Sequence, residues 1–211
     1  MEKPAGKFIV IEGLDGSGKT VKSKLLADHL KKLGLKVSLS FEPTSGPIGA
    51  IIRHVLVGRL QVDPRTLAAL YAADRLDHIT NPTNGIAKHL REGVIEICDR
   101  YYLTSYAYQT LSVDEDWVWQ LNSQAIRPDL TIFLDVDPEE CWRRLSRSQI
   151  DEEMFHDLDH LREARTKYLA AISKLKDRER IVVVDSNGDL QEVSERVIGE
   201  ATKFLRQEKI V

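Results

Sequence analysis

A chain of 211 residues, 42% hydrophobic and 30% charged, describes one ordinary globular domain with room for a buried core. Its formal net charge of −3 carries no general attraction for polyanions, so a nucleic acid polymer is not an expected partner. No apolar run approaches the roughly 20 residues that cross a bilayer, and Met1 to Lys7 lacks the apolar stretch of a secretory signal; the expectation is a cytoplasmic protein with no membrane contact.

Short β-branched runs alternate with longer amphipathic segments, a rhythm that predicts parallel strands joined by helices on both faces of one sheet. The first strand is expected over residues 8–12, followed directly by a helix over 19–33 that stops at Gly34, a residue able to take left-handed backbone. A second strand reads over 36–41. Residues 43–49, rich in Pro, Gly and Ser, read as a mobile surface segment, and Pro64 after Asp63 opens a long helix towards Thr80. Strands over 93–98, 130–136 and 180–184 bring the expected count to five, each with the aliphatic content of a strand buried on both faces. Pro138 after Asp137 opens another helix, the polar segment 146–153 reads as a loop suited to a lid, and 189–207 supplies the last helix. No repeat or linker interrupts this pattern, so residues 1–211 read as a single domain with a three-layer α/β/α architecture, a five-stranded parallel sheet and a short inserted lid.

Chemistry enters between the first strand and the first helix. Gly13-Leu14-Asp15-Gly16-Ser17-Gly18-Lys19-Thr20 fits G-x-x-x-x-G-K-[ST], the loop of the P-loop NTPase fold. The glycines Gly13, Gly16 and Gly18 let the backbone N–H groups turn inward around phosphates, and the helix start adds its partial positive charge. Lys19 can reach the β- and γ-phosphates of ATP, and the Thr20 hydroxyl can hold magnesium. GTPases, ATPases, kinases and partitioning proteins share this loop, so it points to nucleotide binding and leaves the reaction open.

The third strand delivers Asp99-Arg100-Tyr101 at its carboxyl end, the edge at which parallel α/β sheets bind ligands. Asp99 suits magnesium, directly or through water, and the planar fork of Arg100 suits a phosphate on the acceptor side. The pair is compatible with a nucleotide kinase, with a kinase for another nucleoside monophosphate or a deoxynucleoside, and with a P-loop nucleotide-binding protein without phosphotransfer. Cys98 and Cys141 are too few for a disulfide framework and wrongly spaced for zinc, and His29, His54, His78, His89, His156 and His160 form no ligand pattern.

Several blocks carry a wider resemblance: residues 11–20, Glu42-Pro43, Leu70-Tyr71-Ala72-Ala73-Asp74-Arg75, Asp99-Arg100-Tyr101 running on to Ser105-Tyr106-Ala107-Tyr108-Gln109, and Arg127-Pro128-Asp129-Leu130 before Phe133-Leu134-Asp135-Val136. With them the chain resembles the thymidylate kinase family from Lys7 to about Leu205. The resemblance implies a homodimeric, magnesium-dependent enzyme that makes dTDP and ADP from dTMP and ATP. It implies that Asp15 approaches the acceptor sugar, Tyr71 stacks on thymine, Arg75 reaches the base or phosphate edge, Thr104 and Gln109 contact the base, and Tyr108 walls the pocket, with Phe41 and Pro43 on the acceptor side. Arg143 and Arg147 fall where the lid's phosphate-binding arginine is expected, Arg147 first. The P-loop contains no arginine, so the charge that offsets the γ-phosphate is expected from this lid. Catalysis is thereby assigned to Lys19, Asp15, Arg100 and Arg147. Two departures stand out. Phe41 occupies the place where the family often has Arg before Glu-Pro, leaving Arg53 as a substitute, and Glu152-Glu153-Met154-Phe155 stands where many relatives have another arginine. Adenine is expected near residues 186–190.

Overall fold

In the computed structural model, which describes residues 6–147 and 157–211, five aliphatic runs lie side by side as β1 (Phe8–Gly13), β2 (Val37–Phe41), β3 (Ile95–Asp99), β4 (Leu130–Asp135) and β5 (Ile181–Asp185). All neighbours pair in parallel, in the order β2-β3-β1-β4-β5. The central strand β1 is buried at every residue, whereas the edge strands expose Leu39, Phe41 and Val183. Burial on both faces is why the inner strands read as continuous apolar runs.

Side-chain alternation divides β1 between two cores. Ile9 and Ile11 join Leu26, Leu30 and Phe204 beneath α1 (Lys19–Lys32) and α9 (Leu190–Gln207), while Phe8 and Val10 join Phe133 and Tyr168 on the opposite face. That second face is covered by α5 (Tyr102–Tyr108) and α8 (Leu158–Leu175). The four β1 residues from Phe8 to Ile11 are at most 1% exposed, and each such side chain contributes about 1.5–3 kcal/mol on burial. The carboxyl edge of the sheet is thus set on a rigid three-layer base.

The remaining helices are α2 (Pro47–Leu56), α3 (Pro64–Thr80), α4 (Ile86–Arg91), α6 (Glu115–Leu121) and α7 (Pro138–Arg147). Their ends follow local chemistry. Asp63 accepts from the Arg65 N–H at the start of α3, with Pro64 at the first helical position, and Asp189 accepts from the N–H groups of Gln191 and Glu192 at the start of α9. Among the described residues no helix is long and apolar enough to cross a membrane.

Residues 43–49 are not a loose segment. The Asp74 carboxylate of α3 accepts from both the Thr44 N–H and the Thr44 hydroxyl, each at 2.7 Å, and Pro47 starts α2 immediately afterwards. Of the expected lid over 146–153, Ser146 and Arg147 are the last residues of α7, and 148–153 lie outside the described residues.

Candidate active site

The loop from Gly13 to Thr20 joins β1 to α1 under tight steric control. A Cβ on Gly13 would stand 2.8 Å from the Leu134 carbonyl oxygen, and one on Gly16 would stand 2.6 Å from the Cys141 carbonyl oxygen of α7. Both glycines also have positive φ, so no L side chain fits either place. Lys19 is buried, and its Nζ donates to the carbonyls of Gly13 at 2.9 Å and Leu14 at 2.6 Å.

Thr20 Oγ1 donates to Asp99 Oδ2 at 2.6 Å, linking the head of α1 to the end of β3. Asp99 Oδ1 is buried without a hydrogen-bond partner among the described residues. A hydroxyl and a carboxylate with one oxygen unengaged make a hard-oxygen donor set, which fits a small divalent cation such as magnesium.

One residue further, Arg100 takes φ +70, a conformation a non-glycine residue holds only when its surroundings impose it. Its N–H donates to the Ile11 carbonyl at 3.0 Å, and its guanidinium pairs with Asp15 of the loop. The Asp15 N–H donates to the Tyr108 hydroxyl at 3.2 Å. Asp15 and Arg100 therefore stand at the rim shared by the phosphate loop and a neighbouring cleft of about 520 Å³.

That cleft brings together residues widely separated in the chain. Asp15, Arg100, Thr104, Tyr108 and Gln109 line it, as do Phe41, Pro43 and Tyr71, and Arg53 of α2 joins them. Arg53 Nη1 donates to the Pro43 carbonyl at 3.0 Å and also to that of Thr44. Tyr71 is largely buried in a cluster with Ile52, Val55 and Leu67, of which Val55 and Leu67 give the cleft an apolar wall. Gln109 Oε1 is buried without a partner among the described residues, an acceptor with its hydrogen-bonding capacity unused.

Two expected site residues are paired with acids. Arg75 does not line the cleft: it is 1% exposed, and its guanidinium is committed to Glu42, at 2.8 Å, to the Ser105 hydroxyl at 3.1 Å and to Asn122. Arg143 is half exposed and donates through both Nε and Nη2 to Glu140, whereas its neighbour Arg144 reaches the Gly16 carbonyl at 3.4 Å. Arg147 is exposed at the last residue of α7. The Thr104 hydroxyl, expected at the base, donates to Glu12 at 2.8 Å and meets the Tyr168 hydroxyl at 2.9 Å.

Glu12 itself was not singled out by sequence reasoning, since an acid in a strand otherwise made of apolar residues and glycine has no local pattern to mark its role. It is fully buried and accepts from the N–H groups of Tyr101 and Thr104, the Thr104 hydroxyl and Tyr168. It thereby caps the start of α5, which has no cap from its own N-terminal residue. Burial pushes its carboxyl above the usual range, against the lowering effect of the Thr104 hydrogen bond. His160 of α8 also lines the cleft, its ring 5.7 Å from that of Tyr108.

Glu42, His78 and Cys98 offer ligand atoms within 4.8 Å of one another. Their chemistry is that of a polar clasp. Glu42 is divided between Arg75 and His78 Nδ1, and the Cys98 thiol, pushed well up by burial, donates to the Arg100 carbonyl. The clasp supports the strained Arg100 from below.

A family model described as thymidylate kinase matches residues 11–197. The chain is 37% identical over 194 residues to a probable thymidylate kinase of Methanocaldococcus jannaschii, covering 91% of this chain and 94% of that protein. It is 36% identical over 209 residues to a probable thymidylate kinase of Methanococcus aeolicus, covering 97% and 98%. A thymidylate kinase of Desulfotalea psychrophila is 40% identical over 153 residues, covering 72% of this chain and 74% of that protein.

Proposed function

The chain belongs to the thymidylate kinase family, and from that premise we propose that it moves the γ-phosphoryl group of ATP onto dTMP, giving dTDP and ADP, as a magnesium-dependent cytoplasmic homodimer. One observation carries the reading at residue level. Asp15, a carboxylate inside a phosphate-binding loop, pairs with Arg100 and lines the adjoining cleft. A carboxylate beside phosphates is electrostatically costly unless it serves a second ligand.

On this reading the loop N–H groups hold the ATP phosphates, and Lys19 exchanges the Gly13 and Leu14 carbonyls for β- and γ-oxygens. Arg100 turns from Asp15 to the acceptor phosphate, and Asp15 then accepts from the sugar 3′-hydroxyl. Tyr71 lies along the pyrimidine, a contact worth roughly 1–3 kcal/mol, and Gln109 Oε1 takes its ring N–H. Thr20 and Asp99 would hold the magnesium ion, which would supply positive charge to offset that of the phosphates. The attacking phosphate oxygen is already anionic, so the protein's task is positioning and charge and needs no general base. Exposed Ile51 on α2 and Leu76 on the neighbouring α3 support pairing of two copies.

The test is a coupled ADP-release assay with ATP and magnesium across dTMP, dUMP, dCMP, AMP and thymidine. The expected result is the highest kcat/KM for dTMP; a protein that binds ATP but saturates with no monophosphate would sink the reading.

A further inference from the structure

Lys22 lies three residues into α1 after Lys19. Side chains on a helix lean towards its amino end, so a four-carbon stem at this position carries its ammonium back over the phosphate loop. The Lys22 Nζ stands 2.8 Å from where a Cβ on Gly18 would be. Lys22 is only 5% exposed, and among the described residues no acid, carbonyl or hydroxyl takes a hydrogen bond from its ammonium. The charged group that acts on it is another cation, Arg144, whose Nη1 reaches the Gly16 carbonyl and whose Nε is tied to Glu140.

A lysine this buried, its ammonium beside a second cation and with no acceptor among the described residues, is costly, and stem packing alone would be served by an apolar side chain. Two cations converging on Gly16 and Gly18 of the phosphate loop is the arrangement of a polyanion clamp. We infer that Lys22 is a second lysine of the donor site, its ammonium binding the phosphate chain of ATP and ADP alike beside Arg144. The inference rests on the loop's being the ATP site. Because the contact is made to substrate and product equally, Lys22 contributes uniform binding: it lowers the nucleotide's KM and leaves kcat alone. In this it differs from Lys19, which reaches the transferred group.

The test compares Lys22→Met, which keeps the stem and removes the charge, with Lys22→Gln as a second neutral variant and Lys22→Arg as the rescue. ADP binding to the full chain is measured by titration calorimetry in magnesium buffer, with thermal melts to verify the fold. The neutral variants are expected to bind ADP more weakly by on the order of tenfold, the loss of one charge-assisted hydrogen bond. The KM for ATP should rise by the same factor while kcat and the acceptor KM hold, and Lys22→Arg should recover most of the loss. Wild-type affinity for ADP in either folded neutral variant overturns the inference and leaves Lys22 a packing residue. A wild-type protein that binds no ADP overturns the ATP site itself, so the two failures are distinct.

Discussion

Arg100 and Asp15 form an ion pair that bridges the carboxyl end of β3 and the phosphate loop, with side chains about one-fifth exposed at 21% and 18%. Neither residue is fully desolvated, so the pair is weak enough to be exchanged for a ligand. Arg100→Ala should therefore raise the KM for dTMP by about 10–100-fold, the loss of a charge-assisted contact, and leave the KM for ATP near its normal value. Steady-state kinetics with each substrate varied in turn decide this. An unchanged acceptor KM would show that Arg100 serves Asp15 alone.

Thr20 and Asp99 supply a different test because one Asp99 oxygen is already bonded to the hydroxyl and the other is buried and unengaged. Asp99→Asn keeps an oxygen for Thr20 and the shape of the site but removes the charge. The magnesium concentration for half-maximal rate should rise about 10–100-fold, in line with loss of a residue that holds a metal or its water. Circular dichroism should report an intact fold. A magnesium dependence identical to wild type would remove Asp99 from the metal site.

Arg75 is held inside the fold. Its guanidinium is buried with Glu42, Ser105 and Asn122, and truncation would leave the Glu42 carboxylate buried with one partner fewer. Arg75→Ala should lower the unfolding free energy by about 3–5 kcal/mol, read by urea denaturation. Tyr71→Ala should instead raise the dTMP KM more than the ATP KM, since Tyr71 lines the cleft. A stable Arg75→Ala protein with a selectively raised dTMP KM would restore Arg75 to the base.

These residues show why some of the site was legible in the sequence and some was not. The five strands and the loop before α1 were readable because their signals are local: buried parallel strands are apolar throughout, and a phosphate loop needs its glycines and lysine at fixed spacing. The position of Asp99 and Arg100 at a strand's carboxyl end was readable from the aliphatic run before them. Thr44 was misjudged because its partner, Asp74, lies 30 residues away, and composition alone makes such a segment look loose. Arg75 stands away from the cleft lining for a related reason. Helical spacing puts it one turn from Tyr71 on the same face, but that face passes from the cleft wall into the core within the turn, where Glu42 waits. Helix α5 left no periodic trace because six of its seven residues are buried, and its capping acid, Glu12, comes from another strand.

The three arginines of α7 separate by angle. At 100° per residue, Arg143 and Arg144 diverge: Arg143 turns outward to Glu140, while Arg144 faces the loop with Nη1 at 3.4 Å from the Gly16 carbonyl. An exposed pair such as Arg143–Glu140 is worth about 0–1 kcal/mol, so Arg143→Ala should change kcat and the KM for ATP by no more than about twofold. Arg144→Ala removes a cation beside the loop that holds Gly16 and should reduce kcat/KM for ATP on the order of tenfold or more. Arg147→Ala, one turn further on, should slow kcat with little effect on the KM for ATP, as expected of a charge felt mainly in the transition state. Measuring kcat and KM for the three variants side by side assigns the roles: a normal kcat for Arg147→Ala with a slowed Arg144→Ala would give the transition-state charge to Arg144, and an impaired Arg143→Ala would mean that the Glu140 pair orients Arg144 through the carboxylate they share.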